Sequence, residues 1–153
     1  ITSNKIDNIL KSKIKNLLSL GKKRGFGYWI WKPYLLKKIF YKINYGDIIN
    51  YVDIGCHIIK KNSLKFNQYL DFIKQDKNWI LPFQYHSNLD HNIKNISFPN
   101  RDERKYTKGD LLDYFDFYYD TKITDSPQFW AGCFFIKKTN VSIKFLDDWL
   151  SIF

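Results

Sequence analysis

Arg24-Gly25-Phe26-Gly27-Tyr28-Trp29-Ile30-Trp31-Lys32-Pro33, followed one helical length later by Tyr45-Gly46-Asp47-Ile48-Ile49-Asn50-Tyr51-Val52-Asp53-Ile54-Gly55-Cys56, decides how the rest of the chain is read. Pro33 sits where a helix begins, because its missing N–H has no partner in a first turn anyway. Leu35, Leu36, Ile39, Phe40 and Ile43 supply an apolar stripe at helical spacing, and Asn44-Tyr45-Gly46 ends it. Asp47 to Ile54 then reads as a strand. Ile48, Ile49, Val52 and Ile54 are β-branched, and the nearly continuous apolar run predicts a strand covered on both faces. Two-residue alternation puts Tyr51, Asp53, Gly55 and His57 on one face if the strand continues that far. The strand thus delivers one carboxylate, Asp53, to its C-terminal end, which suits a ligand site at the edge of an α/β sheet.

Outward from this block, Ile6, Ile9, Leu10, Ile14, Leu17 and Leu18 predict an amphipathic helix closed by Gly21. Gly21 to Gly27 is a glycine-rich basic loop. Ser63 to Asp76 reads as a helix with Phe66, Tyr69, Leu70 and Ile73 inward, and Trp79 to Phe83 as a short strand broken by Pro82. Asn88 to Arg104 is polar and without periodicity, hence a loop. Thr107, with Asp110 three residues on, predicts an N-cap for a helix through Phe117. Asp120 to Pro127 is a turn-rich connection, Phe129 to Ile136 a further strand, and Ser142 to Phe153 a last helix. Strands alternating with helices predict an α/β domain with a mainly parallel sheet.

With 153 residues the chain has room for one modest domain with a real core. It opens on Ile1 and contains no methionine, which reads as a piece of a longer chain. Aromatic residues make up 19% of it, more than a core requires, although Ala131 as the only alanine shows a general compositional bias. The net charge of +10 is nearly all lysine, with only Arg24, Arg101 and Arg104, and base readout leans on arginine. No specific nucleic-acid partner is therefore expected. The pairs Lys22-Lys23, Lys37-Lys38, Lys60-Lys61 and Lys137-Lys138 read first as solvated faces and second as a weak field for phosphates or a membrane surface. Cys56 and Cys133 lie in apolar runs and read as buried thiols in a reducing compartment. No apolar run approaches the ~20 residues of a spanning helix, so a cytoplasmic protein, in peripheral contact with a membrane at most, is expected. The sequons at Asn95 and Asn140 are unremarkable in so Asn-rich a chain.

The block Gly25 to Pro33 with Gly46-Asp47-Ile48-Ile49 and Tyr51 to Cys56 resembles a group of bacterial and viral nucleotide-sugar glycosyltransferases of the GT-A fold. It is similar, more remotely, to families that include capsular-polysaccharide sugar transferases and galactosyl- or mannosyltransferases. The likeness extends to Tyr106-Thr107-Lys108 and to Gln128-Phe129-Trp130-Ala131-Gly132, covering Arg24 to Trp149. The resemblance implies an α/β/α layered GT-A domain over residues 1–153 that lacks its N-terminal nucleotide-binding strand. It implies transfer of a hexose from a nucleotide-diphosphate sugar to a glycan or lipid-linked acceptor, in polysaccharide biosynthesis.

In that family the corresponding strand ends in Asp-x-Asp, whose carboxylates meet the ribose and a divalent cation on the donor diphosphate. This chain has Asp53-Ile54-Gly55, with Gly55 in place of the second carboxylate. Two repairs stand open: Asp53 alone holding Mg²⁺ or Mn²⁺ with water and phosphate oxygens, or Arg24 and Lys32 replacing the ion. His57 is a third group near the strand end, read either as a nitrogen ligand or as a polar residue beyond the strand. The likeness implies donor contacts from Arg24, Gly27, Tyr28, Trp31, Lys32, Asp53, Gly55 and Gly132. Gln128 and Ala131-Gly132 fall where such folds present a polar side chain and small residues to the transferred sugar. Asp125 is the nearest carboxylate for deprotonating an acceptor hydroxyl.

Structural readings stand beside these. Trp29 and Trp31 suit stacking on a sugar or base and suit a core equally; Gly25 and Gly27 suit close backbone approach or a plain flexible loop. Tyr106, Thr107 and Lys108 either close over a donor or start a helix. His86, Asp90 and His91 match no standard metal spacing. Two other functions remain in view: a non-catalytic basic, aromatic-rich module binding glycan or nucleic acid, and a transferase fold that has lost activity.

Overall fold

The computed structural model describes residues 7–56, 59, 63–85 and 101–153. The chain is mixed α/β, built around a three-stranded sheet of β1 (Ile48–Val52), β2 (Ile80–Gln84) and β3 (Phe129–Lys137) in the order β1-β3-β2. Both pairings are antiparallel. Asp53 N–H reaches Gly132 O at 2.7 Å and Lys138 N–H reaches Asp47 O at 2.8 Å; on the other side Tyr85 N–H reaches Gln128 O at 3.0 Å and Lys137 N–H reaches Trp79 O at 2.8 Å. The expected mainly parallel sheet is corrected accordingly. Alternation of strands and helices along the sequence does not fix the direction of the last strand, and β3 enters between the first two and runs against both.

The same topology corrects the reading of the first strand. Among the described residues β1 is an edge strand with one partner, so it is half-buried throughout and Ile54 just beyond it is fully exposed. The two-faced burial belongs to central β3, where Phe134, Phe135, Ile136 and Lys137 are all covered. Pro82 lies within β2, where the outer edge asks for no donor.

The chain divides into two compact units, one of Ile1–Ile49, Leu64–Ile80 and Ile136–Phe153, the other of Asn50–Ser63 and Leu81–Phe135.

In the first unit, α1 (Asn8–Ser19) buries Leu10, Ile14 and Leu17 with Ile30, and Leu18, Trp31, Tyr34, Leu150 and Phe153 pack around them. Gly21, at φ +78°, ends α1 as expected: Gly21 N–H bonds Leu18 O and Lys22 N–H bonds Leu17 O, satisfying carbonyls that the helix leaves open. Gly25–Tyr28 forms the single turn α2, with positive φ at Gly25, Phe26, Gly27, Tyr28 and then Trp29. This left-handed turn costs roughly 1–2 kcal/mol for each non-glycine residue, which the two glycines limit. The next helix, α3 (Trp31–Phe40), starts ahead of Pro33 yet keeps it in the first turn, where no bond is lost. In α4 (Ser63–Lys74) Ile73 is buried, whereas Phe66, expected inward, is exposed.

Asp7 caps α1. Its carboxylate accepts from Leu10 N–H at 3.0 Å, from the Tyr34 hydroxyl and from Lys38. The Leu10 amide first, then Lys38 and Tyr34, hold the Asp7 carboxyl well below the usual carboxylate range, while burial and Asp7 push Tyr34 up to about 12. A depressed folded-state pKa means stability that is present above the unfolded value near 4 and lost as pH falls toward the folded one. Asp7→Asn is therefore expected to lower the melting temperature at pH 7, with the gap to wild type closing as pH is taken below about 4. A gap independent of pH across that range contradicts this.

The lysines leaving β3 correct the solvated-face reading. Lys137 is 6% exposed, and its ammonium bonds Gln75 O at 2.7 Å and Lys74 O at 3.5 Å at the end of α4. The Lys138 ammonium turns to Phe40 O and Ile43 O at the end of α3. Cations at helix C-termini complete the open carbonyls and oppose the negative end of the macrodipole.

Elements of the second unit depart further from expectation. α5 (Glu103–Tyr106) falls partly in the predicted loop, and Thr107 is not an N-cap: its hydroxyl bonds the Glu103 carboxylate, and α6 (Gly109–Tyr114) starts after Lys108 without a side-chain cap. α6 stops before Phe117 because Asp116, at φ +59°, takes the left-handed position that glycine usually marks. Phe117 N–H bonds Leu112 O at 2.7 Å and Asp116 N–H bonds Asp113 O at 2.9 Å. α7 (Thr121–Thr124) follows, capped by Asp120. The last helix, α8 (Asn140–Ser151), lies in the first unit and opens with a reciprocal Thr139–Ser142 capping box. Among the described residues no helix is long and apolar enough to cross a membrane.

Candidate functional site

In the second unit the end of β1 turns sharply: Cys56 N–H bonds Asp53 O at 2.9 Å, making Asp53-Ile54-Gly55-Cys56 a tight turn. The Asp53 Oδ1 atom accepts the Tyr51 hydroxyl at 2.5 Å, so these two keep the expected face, while the strand ends at Val52 and the turn takes Gly55 off it. Tyr51 stacks on Phe134 with ring centroids 5.0 Å apart. Burial, and then the Asp53 carboxylate, push the Tyr51 hydroxyl far above its ordinary range, so it remains a neutral donor that fixes the carboxylate.

Across from Asp53 lies Gly132, whose carbonyl takes the Asp53 N–H. A Cβ on Gly132 would fall 2.5 Å from the Trp130 indole nitrogen, so the ring lies across this glycine and its smallness is required. Trp130 and Gly132 are spaced by two along β3, which places them on one face. The Gln128 amide nitrogen lies 3.5 Å from Glu103 Oε2 and 3.4 Å from Thr107 Oγ1. Asp125 is held elsewhere: Arg104 pairs with its carboxylate at 2.8 Å and reaches Thr124 Oγ1 at 3.1 Å. Cys56 and Cys133 are free and half-buried, and burial first, then Cys56, push the Cys133 thiol up.

The remaining sequence candidates belong to the first unit. Arg24 lies 5.6 Å over the Trp29 ring. Gly27 is buried, and a Cβ there would meet Leu17 Cδ1 at 3.3 Å, while Gly25 is covered by the Trp29 ring. Both glycines thus have a packing role in addition to their φ. Trp31 donates to Gly25 O at 3.3 Å and packs on the Leu10 cluster. Tyr28 stands in the left-handed turn at φ +51°. Lys32 is only 4% exposed, beside the Trp31 ring at 5.7 Å, and is not a surface lysine. His57, His86, Asp90, His91, Asn95, Lys60 and Lys61 lie outside the described residues.

Sequence reasoning passed over Arg101, Tyr85 and Glu103. Arg101 lies 4.5 Å over the Tyr85 ring and 5.4 Å from the Tyr106 ring, and donates to the Tyr85 hydroxyl at 3.0 Å. The scarcity of arginine was the available signal. Arg24 and Arg101 stack on aromatic rings and Arg104 bridges two groups, tasks for which a planar guanidinium outperforms an ammonium.

Among the described residues no three His, Cys, Asp or Glu side chains are placed to hold a metal ion. Asp53 has one oxygen engaged by Tyr51, and Gly55 offers no side-chain ligand. Gly55 is not held to glycine by space, since a Cβ there meets nothing within 4 Å. Gly55→Asp is therefore expected to fold with an unchanged melting temperature and to raise Mn²⁺ affinity about tenfold, measured by calorimetry, because a second carboxylate joins Asp53. Loss of the fold, or unchanged Mn²⁺ binding, contradicts this.

Comparison of the chain with protein-family models, with curated proteins and with solved structures gave no match.

Proposed function

We propose that the chain is a glycosyltransferase that moves a hexose from a nucleotide-diphosphate sugar to a hydroxyl of a glycan or lipid-linked acceptor. The observation that carries this reading is the Asp53 carboxylate, oriented by Tyr51, beside a glycine crossed by the Trp130 ring. A pyranose has an apolar C–H face and an equator of hydroxyls. An indole ring fits the first and an oriented carboxylate fits the second. The resemblance of Tyr51 to Cys56 to the nucleotide-sugar transferases supports the same direction, and the finer reading of the fold, a partial GT-A domain, belongs to this proposal.

The chemistry breaks the bond between the sugar's anomeric carbon and the diphosphate oxygen and forms one to the acceptor oxygen. The acceptor proton needs a base. Glu103, near Gln128, is better situated for that role than Asp125, which Arg104 occupies. A net charge of +10 favours anionic donors and an anionic membrane surface, consistent with work on a lipid-linked acceptor in the cytoplasm.

Calorimetric titration with a panel of nucleotide-sugars tests the reading. Wild type is expected to bind at least one donor, and Trp130→Ala to weaken it roughly fivefold, as loss of one aromatic contact of about 1 kcal/mol implies. Absence of binding to every donor, with salt-sensitive RNA binding instead, overturns it.

A further inference from the structure

We infer that Tyr85, Arg101 and Tyr106, with Glu103, Thr107 and Gln128, form a platform that stacks and hydrogen-bonds a neutral saccharide, the acceptor of the proposed transfer. The acceptor role rests on the transferase reading; the saccharide platform itself does not.

Its frame is rigid. Gln128 N–H bonds Arg101 O at 2.7 Å, Glu103 N–H bonds Ser126 O at 3.0 Å, and Tyr85 N–H bonds Gln128 O at 3.0 Å, so three backbone segments lie side by side. Upon this frame the Arg101 guanidinium is flanked by the Tyr85 and Tyr106 rings and tied to the Tyr85 hydroxyl. Tyr85 also lies 6.5 Å from the Trp130 ring. Tyr106 and Trp130 are 41% and 38% exposed, large rings presented to solvent rather than spent on a core. Rings fixed in this way offer contact area at little entropic cost.

The polar groups choose between ligands. Glu103 and Thr107 hydroxyl bond each other beside the Gln128 amide, giving carboxylate, hydroxyl and amide within one small area. That set accepts and donates to sugar hydroxyls. Asp102, Glu103 and Asp125 bring carboxylates close to the same backbone segments, and Lys105 and Arg104 pair with the first and the last of them. Arg101, Arg104 and Lys105 thus stand against three carboxylates, so the patch carries no net cationic excess to draw a phosphate backbone, while the Glu103, Thr107 and Gln128 set matches neutral hydroxyls.

The test titrates the full chain with neutral manno- and galacto-oligosaccharides, with single-stranded oligonucleotides, and with nucleotide-sugars. Wild type is expected to bind an oligosaccharide. Tyr106→Ala and Arg101→Lys are each expected to weaken it about tenfold, the latter because a lysine keeps the charge and loses the planar stack. Tyr106 is exposed, so its loss leaves the fold standing, checked by circular dichroism. Oligosaccharide binding that both variants retain in full overturns the platform, as does preferential oligonucleotide binding. Oligosaccharide binding without any donor binding supports the platform and overturns the transferase reading. Donor binding with no oligosaccharide binding does the reverse.

Discussion

Replacing Lys137 by methionine is expected to cost about 2–3 kcal/mol of stability, the upper range for a charge-assisted hydrogen bond to a covered carbonyl. Methionine keeps the length and apolar stem of lysine and deletes only the ammonium, so the loss isolates its bonds to Gln75 O and Lys74 O. Lys74 O stands at the open end of α4, and Gln75 O, which also accepts from Asn78 N–H at 3.0 Å, takes the ammonium as a second donor. With Lys137 at 6% exposure, water has little access to replace the donor. Urea unfolding followed by tryptophan fluorescence should show a lower midpoint at an unchanged slope, with a fall of roughly 5–10 °C in melting temperature. An unchanged midpoint would mean that the ammonium's desolvation cancels its bonds, and the helix-capping account of the lysine pair would fail.

That pair also shows where sequence reasoning reached its limit. Charge runs resemble one another in a sequence whether they meet water or a helix end. The distinguishing fact is that Lys137 and Lys138 follow a central strand, so alternation sends one to the end of α4 and the other to the end of α3. Features set by local chemistry were legible. Gly21 stopping α1, Pro33 in a first turn, the β3 apolar run and the shared face of Tyr51 and Asp53 all follow from short-range rules. Features set by distant partners were not. The direction of β3 depends on what it inserts between, and the stop at Asp116 depends on an aspartate doing what glycine usually does.

The candidate site divides in the same way. Asp53 was visible as a carboxylate at a strand end, and Gly132 as a small residue in a strand. Their backbone hydrogen bond was not, because it needs the antiparallel pairing. Trp31 and Lys32 were marked by their motif, yet the structure gives Trp31 a core position and buries Lys32. Arg101 lacked a motif altogether, since its ring partners come from residues 85 and 106.

Asp53→Asn carries the largest expected functional effect. Asparagine keeps an oxygen for the Tyr51 hydroxyl and the backbone bond to Gly132, so the turn and the strand pairing survive. What disappears is the negative charge and its acceptor capacity toward sugar hydroxyls. Loss of one oriented electrostatic contact in a reaction's transition state is worth about 10²–10³ in rate. A fold-level effect would instead appear in the circular dichroism and melting temperature, which are expected to match wild type.

The central claim is tested most directly by release of nucleoside diphosphate from a panel of nucleotide-sugars, comparing wild type with Asp53→Asn at equal folded concentration and with oligosaccharide acceptor present. The account predicts release by wild type from at least one donor, and a fall of about 100-fold or more in the variant. No release from any donor by wild type, or equal release by the variant, contradicts it.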